Sequence, residues 1–411
     1  MAETQPSANC FVGFHDIIPW SPDDSVVAIH RAAPGFFRLE DCSKPIDICL
    51  WRPQSEEIDV IESTTAWNFQ QGARLQWLPG SKSTLAFNAV QAGQAISVFR
   101  DVQTGTRRTL PAPIYVFSPD GAISISPNFT TLAHLWRAYG YPVLAGNPLI
   151  TDPDADGLWQ LDIRTGEQKL FISLRRAVEF EAGKNIEPDG HFLCHVSFSP
   201  DGTRVAFLER YFSADHALVT RMLVTDPEAK TLKVLANGGV SHFDWLDNDK
   251  IVVWTRPSGA LAAMRSSGAL GSPILRPLLK LGRSFKGKWK KKLLSEAYYV
   301  ISVDNPGTKY RFGWPSLSFD GHPMVARSHR WIVTDYYPNA KNELPVILYN
   351  ADRQIRADAH VFVHHPRSVD TDVKCDLHPR WNRKEDKVAV DTCEAGYRQV
   401  RILDVSDIVR A

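Results

Sequence analysis

Short apolar strands alternate with polar turns along the whole chain, and one phrase built from them recurs. It reads "IIPWSPDDSVVAIHR" from Ile17, "RLQWLPGSKSTLAFNA" from Arg74, "YVFSPDGAISISPNF" from Tyr115 and "HVSFSPDGTRVAFLER" from His195. It returns as "HFDWLDNDKIVVWTR" from His242, "WPSLSFDGHPMVARS" from Trp314 with an echo "SHRWIVTD" from Ser328, and "HPRWNRKEDKVAVDT" from His378. Each copy is an aromatic or apolar strand, a polar turn, and a second strand with apolar and polar positions alternating, the period-two signature of β structure. In the turn, Pro presets φ, Asp bonds the backbone ahead of it, and Gly accepts a positive φ. Several copies run on into a third strand ending in D-x-x-T-G, as in "ISVFRDVQTG" from Ile96 and "LWQLDIRTG" from Leu158, with "MLVTDPEAKTLKVL" from Met222 as a variant lacking the glycine.

A unit of three or four strands, repeated about seven times over 411 residues, predicts an all-β fold. The expected architecture is a single β-propeller domain over residues 1–411, seven blades of four antiparallel strands each. The last unit supplies only "HPRW", "KVAVDTC" and "RQVRILDV", so residues 10–13 are expected to complete it as the outer strand. That pairing of the two ends removes the open edges of the ring. Two stretches break the pattern. Residues 128–157 are too long for a hairpin and are expected to cover one face. Residues 261–296 form a basic insertion within a blade: from Lys250 to Ser295 there are eleven Lys or Arg and no Asp or Glu. The insertion reads either as a solvated loop or, through 276–292, as a peripheral contact for an anionic membrane surface or polymer.

Composition refines this picture. Lys+Arg 47 against Asp+Glu 46 leaves a formal net charge of +1, which argues against nucleic acid as a partner and makes any electrostatic contact local. Twelve Trp, 25 Gly and 27 Pro fit turns and aromatic-packed strands and not a helical bundle. The opening residues lack a secretory pattern, and no apolar run is long enough to span a bilayer, so a soluble, cytoplasmic protein is expected. Cys10, Cys42, Cys49, Cys194, Cys375 and Cys393 have no zinc-type spacing and are read as reduced, buried thiols.

The histidines carry the chemistry. His15, His195, His242 and His378 stand just ahead of, or at the start of, the first strand of a repeat, and His322 in a turn after one. The first strand of each propeller blade lines the central channel, so residues distant in sequence converge there. Three or four neutral imidazoles suit a borderline divalent ion such as manganese, iron, nickel or zinc. Asp16, Asp244, Asp320 and Asp376 lie nearby in sequence as acceptors able to fix ring tautomers. Arg137, Arg210 and Arg380 suit carboxylates, and Tyr139, Tyr141, Tyr336 and Tyr337 suit sugar rings.

The turns Ser118-Pro119-Asp120-Gly121 and Ser199-Pro200-Asp201-Gly202 resemble those of TolB-type propellers. The combination "HFLCHVSFSPDGTRVAFLER", "SHFDW", "DGHP", "TDYYP" and "DLHPRW" resembles bacterial propeller proteins related to oligogalacturonate lyase, over most of the chain. The resemblance implies a divalent metal, typically manganese, held by three histidines and a glutamine. His195, His242, His322 and His378 are the residues able to match, which puts a histidine in the fourth position; no matching glutamine is identified. It further implies β-elimination on an acidic, uronate-containing oligosaccharide, with His15, Tyr141 or Tyr336 as proton-transfer groups. Arg137, Tyr139, Arg210, Tyr337 and Arg380 would then bind substrate. The alternative is a non-catalytic propeller that binds an anionic glycan or a protein partner in cell-surface polysaccharide production.

Overall fold

A computed structural model describes residues 1–5, 8–36, 38–181, 189–213, 216–237, 239–256, 296–328, 330–365 and 373–411. It is a seven-bladed β-propeller, with seven four-stranded antiparallel sheets. In chain order the blades begin with Asn9–Phe11, Val27–Ala32, Ile46–Arg52 and Glu57–Thr64. The second is Gln76–Trp77, Thr84–Gln91, Gln94–Asp101 and Arg107–Leu110; the third is Val116–Phe117, Ile123–Pro127, Gly157–Asp162 and Gln168–Ser173. The fourth is Phe192–Phe198, Val205–Phe212, Leu218–Thr225 and Leu232–Asn237; the fifth is Phe243–Trp245, Lys250–Thr255, Ala297–Ser302 and Lys309–Arg311. The sixth is Met324–Val325, Trp331–Asp335, Glu343–Asn350 and Ile355–Val363. The seventh joins Arg380–Trp381, Lys387–Thr392 and Gln399–Asp404 to Ala2–Glu3.

The chain divides into two compact units, Met1–Phe171 with Gly321–Ala411, and Ile172–Asp320. Blades four and five belong to the second unit. Among the described residues no helix is long and apolar enough to cross a membrane. All six cysteines are buried and unbridged. The basic insertion, including 276–292, lies outside the described residues except for its last position, Glu296, which pairs with Arg256 at 2.6 Å.

Two expectations are corrected. The end-joining strand is Ala2–Glu3, which pairs Ala2 with Ile402 and Glu3 with Arg401. Residues 10–13 do not form the outer strand, because Asn9–Phe11 is wholly buried and serves as the inner strand of the first blade. A partly exposed dipeptide suits an outer edge; a fully buried tripeptide does not. The second correction concerns the sixth blade. "SFDGHP" is not its hairpin turn but the loop entering it, since the inner strand is Met324–Val325 and the turn follows Ala326.

Within the first unit, inner-strand tryptophans tie blades together. Trp77 Nε1–H donates to the Pro19 carbonyl at 2.9 Å, and Trp381 Nε1–H to the Met324 carbonyl at 3.0 Å. His30 makes a comparable tie. The Ala73 N–H donates to its Nε2 at 2.9 Å, so its Nδ1 carries the hydrogen and lies 3.3 Å from the Phe11 carbonyl. Gly72 must be glycine here: its φ is +58°, and a Cβ would sit 2.2 Å from His30 Cε1.

Gly72→Ala is therefore expected to cost about 1–3 kcal/mol, read by chemical denaturation; an unchanged midpoint would contradict the close approach. Burial pushes His30 from its ordinary 6.5 down to about 4, and His364 likewise. Between these values the folded chain binds fewer protons than the unfolded chain, so stability falls as pH drops from about 6.5 to about 4. His30→Gln should flatten that slope in a denaturation series; an equally steep slope would mean that His30 does not titrate on unfolding.

Candidate metal centre

His322 and His378 occupy equivalent places in two adjacent repeats. Each stands two residues ahead of an inner strand, Met324–Val325 and Arg380–Trp381 respectively. Both are buried, and their rings meet edge to face with centroids 4.3 Å apart. His378 is held at a φ of +44°, a conformation unusual for a side chain bearing Cβ.

Asp335, the last residue of Trp331–Asp335, connects them. It is 1% exposed. Its Oδ1 accepts the His322 backbone N–H at 2.8 Å and the His322 Nδ1–H at 2.8 Å, while Oδ2 accepts the His378 backbone N–H at 3.3 Å. A carboxylate only accepts, so His322 carries its hydrogen on Nδ1 and offers the Nε2 lone pair. Burial alone would lower the His322 pKa, but the Asp335 charge and hydrogen bond outweigh it and raise the value. Gly321 permits this approach, because a Cβ there would lie 1.8 Å from the Asp335 carbonyl oxygen. His378 Nδ1–H donates to the Gly13 carbonyl at 2.7 Å, which leaves its Nε2 as the basic nitrogen as well.

Asp376 completes the group. Ligand atoms of His322, Asp376 and His378 all lie within 4.8 Å of one another, and all three residues are buried. Lys374 pairs with Asp376 at 3.0 Å and rests its ammonium 4.2 Å from the centre of the Tyr337 ring. That ring stands edge-on to His322 at 5.5 Å. Two imidazole nitrogens oriented by acceptors on the far side of each ring, with one carboxylate, fit a borderline divalent ion such as manganese, iron or zinc.

His15 lies beside this group. Its ring centroid is 5.5 Å from that of His322 and 6.1 Å from that of His378. Its Nδ1 is 3.0 Å from the Pro323 carbonyl, which can only accept, so Nε2 holds the lone pair. The segment bearing His15 is clamped by buried charges. Arg380 Nε donates to the Phe14 carbonyl at 2.9 Å, and the Asp391 carboxylate accepts the Val12 N–H at 2.8 Å and the Gly13 N–H at 3.1 Å. Asp16 is fixed by a two-pronged pair with buried Arg74 at 3.0 and 2.8 Å. The long insertion reaches the same place, where Tyr139 stacks on Trp136 at 3.9 Å and sets its edge toward Phe14 at 6.1 Å.

Other residues singled out in the sequence lie elsewhere. Tyr141 is fully buried, stacked on Phe129 at 4.1 Å, and accepts from Asn88 Nδ2 at 2.8 Å. Burial raises its pKa strongly, so it is a packing residue and not a proton-transfer group. Arg380 is likewise unsuited to substrate, being fully buried and paired with Asp391 at 3.1 Å. Tyr336 accepts from Arg356 Nη1 at 3.2 Å on the sixth blade. Arg137 is exposed on the insertion. His195, Arg210 and His242 belong to the other compact unit. There His195 sits at a bulge in Phe192–Phe198 with φ +54°, and His242 Nδ1 lies 3.3 Å from Asp320 Oδ1. Asp335, the ligand role of Asp376, and Lys374 are not read out by the sequence analysis, although "TDYYP" and "DLHPRW" contain the first two.

No family model matches the chain, and no curated protein matches it in sequence. Solved structures do match its fold. An oligogalacturonate lyase in complex with manganese superposes with a TM-score of 0.65 at 13% identity, covering 99% of this chain and 93% of that one. The oligogalacturonate lyase of Vibrio parahaemolyticus gives 0.63 at 13%, with the same coverage of 99% and 93%. Kuenenia stuttgartiensis hydrazine synthase gives 0.52 at 8%, covering 96% of each chain. At these identities the likeness establishes the fold.

Removing the imidazoles should abolish metal retention. Elemental analysis is expected to find a divalent ion in the wild-type protein and none in a His322→Ala, His378→Ala double variant. Asp335→Asn is expected to weaken affinity about 10–100-fold by loosening the His322 ring. Equal metal content in wild type and double variant would remove the assignment.

Proposed function

We propose that this propeller is a divalent-metal-dependent lyase, with manganese as the ion, that cleaves an acidic, uronate-containing oligosaccharide by β-elimination. The observation that carries the reading is the buried His322, Asp376 and His378 group, with both imidazoles held in the tautomer that offers Nε2. The same fold in an oligogalacturonate lyase bound to manganese supports the choice of reaction and ion.

The difficulty in such a reaction is acidity. The hydrogen at C5 of a uronate lies next to a carboxylate, and removing it builds negative charge on the carboxylate oxygens. A divalent ion held by His322, Asp376 and His378 would supply positive charge to stabilise those oxygens. His15 takes the C5 proton on Nε2, and its Nδ1–H bond to Pro323 holds the ring in the tautomer that can do so. The C5–H electrons become the C4–C5 double bond as the bond from C4 to the glycosidic oxygen breaks. That oxygen takes its proton from water or from Tyr337. Lys374, beside Asp376 and Tyr337, and Arg137 on the insertion provide cations for uronate carboxylates. Tyr139 offers an aromatic face for a sugar ring.

Turnover is expected as rising absorbance of the unsaturated uronate when metal-loaded protein meets a panel of acidic oligosaccharides. Chelation should abolish it, and His15→Ala should lower kcat about 10²–10⁴-fold while leaving metal content intact. Silence across the panel, with binding retained, would instead identify a non-catalytic receptor for anionic glycans.

A further inference from the structure

The insertion of residues 128–157 helps to line a cavity in the first unit that shares no residue with the metal group. Its volume is about 290 Å³. Pro127, Phe129, Ile150 and Trp159 are among its apolar lining residues, and Gln94 and Gln168 among its polar ones. The insertion is pinned to the second blade, since Asn147 Nδ2 donates to the Gly93 carbonyl at 2.8 Å and His134 Nε2 lies 2.8 Å from the Asn147 carbonyl. Asn128 caps the helix Phe129–Leu135 through bonds from the Thr130 and Thr131 N–H groups, which fixes the helix start.

Two properties define what the cavity would take. No Asp, Glu, Lys, Arg or His lines it, so it offers no counter-charge for a carboxylate or an ammonium. Its polar groups are instead amides and hydroxyls, and Gln94 and Gln168 are exposed. Trp159 is half-buried, and among the described residues no hydrogen bond or ring contact engages its indole. An aromatic face with a neutral fringe of amides matches a pyranose, whose C–H face is apolar and whose rim is hydroxyls. A cavity of this volume suits one ring; a proline-rich peptide would need an extended groove.

We propose that this cavity is a binding subsite for a neutral hexopyranose unit of an oligosaccharide, with Trp159 as its stacking platform and Gln94 and Gln168 as hydroxyl partners. The subsite does not depend on the lyase reading, because none of its lining residues belongs to the metal group.

Calorimetric titration of the full chain with neutral gluco-, galacto- and manno-oligosaccharides tests it, with and without chelator. At least one neutral series is expected to bind, with equal affinity after chelation. Trp159→Ala should weaken that binding about tenfold or more, and Trp159→Phe, which keeps a smaller platform, should weaken it less. Gln168→Ala, at an exposed position that folding tolerates, should also weaken it. No binding across the neutral panel, or binding unchanged in both Trp159→Phe and Gln168→Ala, would overturn the subsite. So would saturable binding of a proline-rich peptide that Trp159→Phe weakens, in the absence of sugar binding. Loss of uronate turnover on chelation with neutral-sugar binding intact separates this site from the metal-dependent reaction.

Discussion

The Asp335 carboxylate is the constraint on which the centre depends. A carboxylate withdrawn from water is costly unless donors surround it. Here those donors are the His322 backbone N–H and ring Nδ1–H and the His378 backbone N–H. Meeting that one charge fixes the entry loops of two adjacent blades and the tautomer of His322. Replacing Asp335 with an apolar residue would leave two loop N–H groups and an imidazole without their acceptor, so packing and chemistry are coupled at this residue.

A second buried pair supports the first. Arg380 and Asp391 clamp the segment from Val12 to Phe14, and the Gly13 carbonyl of that segment orients His378. His15 follows directly in the chain and bonds back to Pro323, one residue beyond His322. The three histidines are thus set by the main-chain carbonyls of Gly13 and Pro323 and by the Asp335 carboxylate at the end of the second strand of blade six. Asp335 ends a strand, and Gly13 and Pro323 each lie within two residues of one, so every ring is oriented from its far side.

Much of this was legible in the sequence for physical reasons. Strand alternation and Pro, Asp and Gly turns repeat because each blade needs the same sheet, so the repeat revealed seven blades and end-to-end closure. What misled was local ambiguity. "SFDGHP" has the composition of a hairpin turn but leads into a strand, which placed His322 after a strand instead of before one. Arg380 and Tyr141 have the chemistry of substrate-binding and proton-transfer residues, and only burial distinguishes them from such groups. The choice of ligands was equally hidden: His322 and His378 stood out, whereas the part played by Asp376 and Asp335 depends on contacts between blades that spacing does not encode.

The central claim is that the Nε2 atoms of His322 and His378 and a carboxylate oxygen of Asp376 hold one divalent ion. Anomalous diffraction from crystals of the manganese-loaded protein, recorded on either side of the manganese edge, tests it most directly. The account predicts one strong peak about 2.2 Å from these three atoms, with the Nδ1–H bonds to Asp335 and Gly13 intact. A peak coordinated through Nδ1 of either ring, or no peak among His322, Asp376 and His378, would contradict it.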